Sequence, residues 1–225
     1  MTVHLHPTAP IAPDAILPGD PGRALALAQD LLEGPRMSNH HRGLWGYYGE
    51  TKAGGRPLTI QSTGIGGPSS AVVLAELAEL GVRRAVRVGT CRALGPDLAL
   101  GDLAVVEAAL SGDGASRALG AGEETAPAAD VLTALHAAAP EAAAVTVATT
   151  DLYYGAPGSR AELDDAAAVD LATAALFALG PAVGAAVGCL LAVAESAGER
   201  IAEAELLGAE LAMGRAAALA LAAGG

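Results

Sequence analysis

The chain has 225 residues, a formal net charge of −12 and 52% hydrophobic residues, so it can bury the core of a single domain spanning residues 1–225. The negative charge and an aromatic content of only 3% argue against a nucleic-acid partner, which would require clustered lysine and arginine. Cys91 and Cys189 lie in apolar runs without metal-ligand spacing, and no secretory signal pattern is present near the N-terminus. These features predict a cytoplasmic protein with reduced thiols and no bound metal.

Apolar runs with strand and helix periodicity alternate along the chain. Predicted strands cover residues 15–17, 57–62, 84–88, 103–106, 144–148 and 186–193. Predicted helices cover residues 21–32, 68–80, 128–138, 171–179 and 202–222. This alternation predicts an α/β fold, with a mostly parallel, twisted or distorted central sheet flanked by helices in a single domain.

Three further segments have distinctive composition. Residues 45–49 and 57 onward predict a hairpin that turns at 53–55, and residues 111–129 predict a mobile surface loop. Residues 171–194 carry no charge and are long enough for a membrane span. Because Gly180 and Pro181 interrupt them, we expect a buried helix, a turn and a buried strand, and hence no membrane partner.

Two predicted strands end in glycine turns with an arginine beside them. Gly19 and Arg23 follow the first strand, and Arg87 precedes Gly89 and Thr90 at the end of the third. The carboxyl ends of parallel strands meet at one edge of a sheet, where α/β proteins bind ligands. Glycine lets backbone N–H groups approach an anion, and the guanidinium fork fits phosphate oxygens. The two turns therefore predict one oxyanion site.

Residues 63–69 also resemble the glycine-rich turn of a dinucleotide-binding fold. Ser69 stands where the third glycine is required, and no acidic residue lies at the expected offset near residue 86. We therefore reject a dinucleotide cofactor.

Five motifs occur in an order that resembles the nucleoside phosphorylase family, which comprises purine nucleoside and uridine phosphorylases. They are Pro-Gly-Asp-Pro-x-Arg (18–23), Asn-x-x-Arg-Gly (39–43), Thr-Gly-Ile-Gly-x-Pro-Ser (63–69), Arg-Val-Gly-Thr (87–90) and Asp-Leu-Tyr-Tyr (151–154). The resemblance implies a distorted central sheet, phosphate as co-substrate without any cofactor, and a homodimer or hexamer with shared active sites.

The resemblance also implies roles for individual residues. Phosphate would be held by Gly19, Arg23, Arg87 and Thr90, with Arg42 reaching it from the neighbouring subunit. The nucleoside would meet His4, Ile65, Tyr153, Asp170 and Leu171. Of these, His4 would contact the sugar 5′-hydroxyl from the neighbouring subunit, and Tyr153 would stack on the base. Glu195 stands where the purine enzymes have an aspartate that protonates the leaving base, so Glu195 and Arg87 are the predicted catalytic residues.

Some positions depart from the family pattern. Ala172 replaces the glutamate that would hold the ribose hydroxyls, and Arg92 replaces a glycine beside the base site. Ala194-Glu-Ser196 replaces Ser-Asp-His of the purine enzymes, and Pro157-Gly-Ser-Arg160 only partly resembles the loop with which uridine enzymes read uracil. The phosphate half of the pattern is thus intact and the nucleoside half is altered.

Three interpretations remain open on the sequence. The chain could cleave an altered or deoxy-type nucleoside with phosphate, bind phosphate or a nucleotide-like ligand without turnover, or hydrolyse a nucleoside. Hydrolysis needs no phosphate clamp, so Arg23, Arg42 and Arg87 argue against the third interpretation.

Overall fold

A computed structural model describes residues 2–153 and 165–223. These residues form six helices, one short 3₁₀ turn (His41–Gly43) and eleven strands of one mixed sheet. The helices are α1 (Pro21–Leu31), α2 (Gly66–Glu79), α3 (Gly114–Ala118), α4 (Ala129–Ala138), α5 (Thr173–Val183) and α6 (Glu203–Ala223). The strands are β1 (Asp14–Pro18), β2 (Leu32–Asn39), β3 (Gly46–Thr51), β4 (Pro57–Gln61), β5 (Arg84–Ala93), β6 (Leu103–Ser111), β7 (Glu124–Thr125), β8 (Ala143–Thr149), β9 (Ala168–Asp170), β10 (Ala186–Ser196) and β11 (Glu199–Arg200).

The centre of the sheet is parallel. Strand β1 lies between β4 and β5, and β5 in turn pairs with β10, all in parallel register. Antiparallel pairings extend the sheet on both sides, through β2 and β3 at one end and through β6, β9 and β11 at the other. The predicted α/β fold with a distorted central sheet is confirmed, and β1, β4, β5 and β10 deliver their carboxyl ends to the same edge.

Helices cover both faces of this sheet, as the buried strands require. Leu74 and Leu77 of α2 and Leu176 of α5 pack on one face, while α1, α4 and α6 cover the other. Along β5, Ala85 belongs to the first core and Val86 to the second. Because strand side chains alternate between faces, Arg87 points toward α2 and α5.

Several predicted boundaries differ from the structure. Residues 111–129 do not form a loop throughout, because Asp113 accepts a hydrogen bond from the Ser116 N–H and caps α3, and β7 follows. The predicted hairpin is present as β3 and β4, and β2, which the sequence analysis did not identify, adds a third antiparallel strand. Helix α5 begins at Thr173, two residues later than predicted, and continues past Gly180 to end before the left-handed Gly184.

Helix α6 is long and apolar enough to cross a membrane by length and composition, with a mean hydropathy of 1.5, and a third of that window is buried (33%). It packs against α1, α4, β5 and β10 in this fold. Gly214 lets Leu27 of α1 approach closely, since a Cβ atom there would collide with the leucine side chain. Met213 and Ala217 are fully buried on the same helix. The apolar composition of α6 is therefore used in packing the core.

Candidate functional site

A cavity of about 360 Å³ opens at the edge of the sheet where β1, β4 and β5 end. This volume is in the range of pockets that bind small molecules. Its walls come from the two predicted glycine turns, the start of α2, the end of β9 and the residues after β8. The lining residues are Gly19, Asp20, Pro21, Arg23, Gly64, Ile65, Gly66, Arg87, Gly89, Thr90, Cys91, Arg92, Thr150, Leu152, Tyr153, Val169, Asp170, Leu171, Ala172 and Ala194.

Arg87 is buried in the wall of this cavity and pairs with Asp170. Its Nη2 lies 2.9 Å and its Nε 3.2 Å from Oδ2 of Asp170, and Nε also lies 3.2 Å from the Thr173 hydroxyl. Burial lowers the pKa of Arg87, but the adjacent Asp170 carboxylate outweighs burial and raises it. The guanidinium therefore stays charged, and its Nη1 donates to no atom of the described residues.

Both carboxylate oxygens of Asp170 accept hydrogen bonds from neighbouring residues. Its Oδ1 accepts from the Thr149 hydroxyl at 2.7 Å, and its Oδ2 accepts from the Thr173 hydroxyl at 2.6 Å and the Thr173 N–H at 3.1 Å. It lies at the end of β9, three residues before α5 begins at Thr173. Asp170 reaches Arg87 because β9 runs antiparallel to β5. The anion that makes burial of Arg87 tolerable is thus an internal carboxylate.

Gly89 leaves the space in which the Arg87 guanidinium lies. Residues i and i+2 of a strand share a face, so the Gly89 Cα lies beneath the arginine head. A Cβ atom at position 89 would lie 2.8 Å from Nη2 and 2.9 Å from Cζ of Arg87. The Arg-Val-Gly motif therefore fixes where the guanidinium can rest.

Arg23 forms the second cationic group of the cavity. Asp20 caps α1 by accepting from the Arg23 N–H at 2.7 Å, which fixes the first turn of the helix. The Arg23 side chain is only 9% exposed, and its Nη2 lies 2.5 Å from Oε1 of Glu210 on α6. Its Nε is buried without a hydrogen-bond partner among the described residues. An unsatisfied buried donor is costly, so this position suits an anionic ligand.

Aromatic and charged groups surround the other end of the cavity. The Tyr153 hydroxyl donates to Oε1 of Glu195, and the Arg200 Nε lies 2.7 Å from the same oxygen. Burial contributes most to raising the pKa of Tyr153, and the Glu195 carboxylate raises it further. The positive charges of Arg200 and Arg92 act in the opposite direction and lower it. Glu195 is not among the cavity-lining residues, so it reaches the cavity through Tyr153.

Comparison with known proteins identifies the family. The family model described as the phosphorylase superfamily matches residues 13–223. The chain belongs to the nucleoside phosphorylase family. It is 35% identical over 162 residues to a DeoD-type purine nucleoside phosphorylase of Geobacillus kaustophilus, covering 68% of each chain. It is 41% identical over 102 residues to a uridine phosphorylase of Haemophilus influenzae, covering 45% of this chain and 39% of that one.

A solved structure agrees with this assignment. The purine nucleoside phosphorylase of Toxoplasma gondii, crystallised with immucillin-H, superimposes with a TM-score of 0.89 at 27% sequence identity. The match covers 99% of this chain and 96% of that one. The distorted sheet that the resemblance implied is therefore the fold of a known family member.

The structure brings most of the predicted site residues into one cavity. Those that line it are Gly19, Arg23, Ile65, Arg87, Thr90, Tyr153, Asp170 and Leu171. Ile65, at the start of α2, is 85% exposed, and Tyr153 is 40% exposed. The partly matching motif 157–160 lies outside the described residues.

Besides Glu195, two predicted residues are absent from the lining of this cavity. The His4 Nδ1 donates a 2.8 Å hydrogen bond to Oε1 of Glu76, and Arg42 is exposed in a left-handed turn with φ of 58°. Neither residue lines the cavity of its own chain. Both were predicted to act in the site of a neighbouring subunit, and that remains a prediction.

The N-terminal segment is anchored by one carboxylate. Glu76 of α2 accepts from the backbone N–H groups of residues 3–5. Burial raises the pKa of Glu76, but these hydrogen bonds and the His4 ring outweigh burial and lower it to about 2. The segment that carries His4 is thus fixed on the protein surface.

Sequence reasoning missed the internal partners of the cavity arginines. No ion pair was predicted for Arg87 with Asp170 or for Arg23 with Glu210. The pairing of Arg200 with the predicted catalytic residue Glu195 was also not predicted. No capping pattern marks Asp170, because the N-cap of α5 is Ala172, which makes no side-chain cap hydrogen bond. Cys91 lines the cavity, but burial raises the pKa of its thiol to about 12, so it is not a thiolate nucleophile at neutral pH.

Proposed function

We propose that this protein catalyses phosphorolysis of a nucleoside. A phosphate oxygen attacks the anomeric carbon, and a C–O bond forms as the N-glycosidic bond breaks. The electron pair leaves with the base, which takes up a proton to match the one that hydrogen phosphate loses. The products are a free base and ribose or deoxyribose 1-phosphate. Membership of the family supports this class of reaction.

The observation that carries the proposal is the cationic end of the cavity. Arg23 and Arg87 lie in one cavity of a chain whose net charge is −12, and the Arg23 Nε is buried with no hydrogen-bond partner in the part of the chain that the structure describes. Backbone N–H groups of the Gly19 turn and the first turn of α1 add positive potential there. Phosphate would bind to Nη1 of Arg87, to Arg23 and to the Thr90 hydroxyl. Held there, it is oriented as a nucleophile and its charge is balanced.

The sugar would lie between the phosphate and Tyr153. Asp170 cannot offer a free carboxylate to sugar hydroxyls, because Arg87, Thr149 and Thr173 already occupy it. Ala172 lines the cavity and has no polar side chain. We infer that a nucleoside lacking one ribose hydroxyl loses little affinity, so deoxynucleosides are substrates on a par with ribonucleosides.

Release of free base from a panel of nucleosides, with and without phosphate, tests the proposal. We expect free base to be released only with phosphate. The rate of release should fall by at least about tenfold in Arg87→Leu and Arg23→Leu. Arg215→Leu is the matched control, because Arg215 also pairs with a carboxylate, Asp30, but is exposed and is not among the cavity-lining residues. Equal release without phosphate would indicate hydrolysis, and no release would indicate a binding protein.

We also propose that His4 and Arg42 complete the site of a neighbouring subunit in a homodimer or hexamer. Mixing two inactive variants, Arg42→Ala and Arg87→Leu, tests this. In a dimer with shared sites, random exchange restores about a quarter of the wild-type sites. A monomer in light scattering, or no recovery after mixing, would contradict the shared site.

A further inference from the structure

Three arginines line the cavity, and they differ in their partners. Arg23 pairs with Glu210 and Arg87 pairs with Asp170. Arg92 forms no ion pair or hydrogen bond through its side chain with the described residues, although it is partly buried. A partly buried cation without a counter-ion is costly in a folded protein, unless a ligand supplies the acceptor.

Arg92 lies farther along β5 than Arg87, which we propose as a phosphate ligand. It follows Arg87 by five residues, which corresponds to about 16 Å along an extended strand, and follows Thr90 by two. Its positive charge acts on the Tyr153 hydroxyl and lowers the pKa of that group against the larger effect of burial. Arg92 and Tyr153 line the same cavity, and Glu195, which pairs in register with Arg92, accepts a hydrogen bond from the Tyr153 hydroxyl.

Glu195 is a candidate counter-ion for Arg92, but its carboxylate already pairs with other residues. Glu195 of β10 is the register partner of Arg92 in the parallel β5–β10 pair. Its Oε1 accepts from Arg200 and from Tyr153 instead. Arg92 is thus left with donors that a ligand between it and Tyr153 can use.

We propose that Arg92 selects the base, favouring nucleosides whose base presents a carbonyl oxygen over those that present an amino group. This inference rests on the proposed phosphorolysis. Arginine carries donors and no acceptor, so it can pair with a carbonyl oxygen at the exocyclic position that differs, but not with an amino group there. As the glycosidic bond breaks, negative charge moves onto the base, and the guanidinium stabilises that charge.

Substrate pairs that differ in one exocyclic group test this selection. Uridine carries a carbonyl oxygen at the carbon where cytidine carries an amino group. Inosine and adenosine differ in the same way. We expect wild-type kcat/KM to favour the oxo member of each pair by at least about tenfold. Arg92→Leu should lose about 10- to 100-fold on the oxo member and little on the amino member. Arg215→Leu is the matched control and should leave both values unchanged.

A leaving-group series separates charge stabilisation from a purely steric effect. Uridines with electron-withdrawing substituents at C5 release a more acidic base, so the negative charge on the leaving base needs less stabilisation by the protein. The loss in Arg92→Leu should therefore shrink along the series, and Arg92→Lys should recover part of the activity on uridine. Equal losses on oxo and amino substrates, or higher activity of Arg92→Leu on all of them, would overturn the proposal.

If wild-type protein releases no base, the proposed function is refuted. A binding experiment then still tests the role of Arg92. Calorimetry with free uracil and free cytosine, in the presence of phosphate, measures the same preference without turnover. We expect tighter binding of uracil, and loss of that preference in Arg92→Leu. Equal binding of the two bases would overturn the assignment of Arg92 even if phosphorolysis were observed.

Discussion

The two ends of the cavity are built differently. At the end where we propose that phosphate binds (the phosphate end), each arginine has an internal carboxylate partner, Asp170 for Arg87 and Glu210 for Arg23. At the other end, Arg92 has no such partner among the described residues, and Tyr153 is 40% exposed. The phosphate end is therefore part of the folded core, whereas the base end depends on side chains that can change without disturbing it.

This difference explains why the sequence keeps one half of the family pattern and alters the other. Replacing Asp170 or Arg87 would leave an uncompensated buried charge, which destabilises a protein strongly. Replacing a residue such as Ala172 or Arg92 at the cavity wall leaves no buried ion behind. The energetic cost thus restricts change at the phosphate end and permits it at the nucleoside end.

The largest effect is expected from breaking the Arg87–Asp170 pair. Asp170→Ala should lower the free energy of unfolding by about 3–5 kcal/mol, because the Arg87 charge stays buried without its partner. Asp30→Ala removes the partner of exposed Arg215 and should cost less than about 1 kcal/mol. Urea unfolding of both variants checks the prediction, which fails if the two losses are similar.

A smaller effect should follow from disturbing the phosphate end without removing a charge. Gly89→Ala places a methyl group within 2.8 Å of Nη2 of Arg87, so the guanidinium must move. We expect the KM for phosphate to rise by about 10- to 30-fold, corresponding to the loss of one charge-assisted hydrogen bond. Gly95→Ala, where no atom lies within 4 Å of the added methyl, is the control. An unchanged KM in Gly89→Ala would exclude Arg87 as a phosphate ligand.

A change at the nucleoside end should alter selectivity and leave phosphate affinity unchanged. Ala172→Glu introduces an acceptor for ribose hydroxyls, and we expect the ratio of kcat/KM for ribo- over deoxynucleosides to rise about tenfold. Ala172→Gln, which has a similar size without the charge, should raise the ratio less. If a folded Ala172→Glu protein keeps the wild-type ratio, the sugar does not lie beside residue 172.

The smallest effect is expected outside both ends, at the carboxylate that anchors the N-terminal segment. The pKa of Glu76 is about 2 in the folded protein, below its ordinary value of 4.5, so its contribution is present above pH 4.5 and is lost as the pH falls toward 2. Glu76→Gln should lower stability by about 1 kcal/mol at pH 7, and its difference from wild type should shrink below pH 4.5.

The matched control for this pH profile is Glu79→Gln, because Glu79 is exposed on the same helix. Thermal unfolding at a series of pH values measures both variants. A difference between wild type and Glu76→Gln that does not depend on pH would contradict the anchoring role of the Glu76 charge.

Local patterns predicted the framework of this protein well. Apolar runs and glycine turns located β1, β5 and most helices, and placed Gly19, Arg23 and Arg87 at one edge, because these features depend on neighbouring residues. The ion pairs were not predictable in this way: Asp170 lies 83 residues from Arg87 in the chain, and nothing near either residue specifies the other. The three-residue strand β9 gave too short a pattern, and its antiparallel direction is set by long-range pairing.

In the reaction that we propose, phosphate bound in the cavity is the nucleophile at the sugar. Phosphorus NMR of the protein incubated with a cleavable nucleoside and inorganic phosphate tests it most directly. We predict a sugar 1-phosphate signal that grows in step with free base in wild type and Arg215→Leu and is lost in Arg87→Leu. Free base that appears without any sugar phosphate would contradict the account.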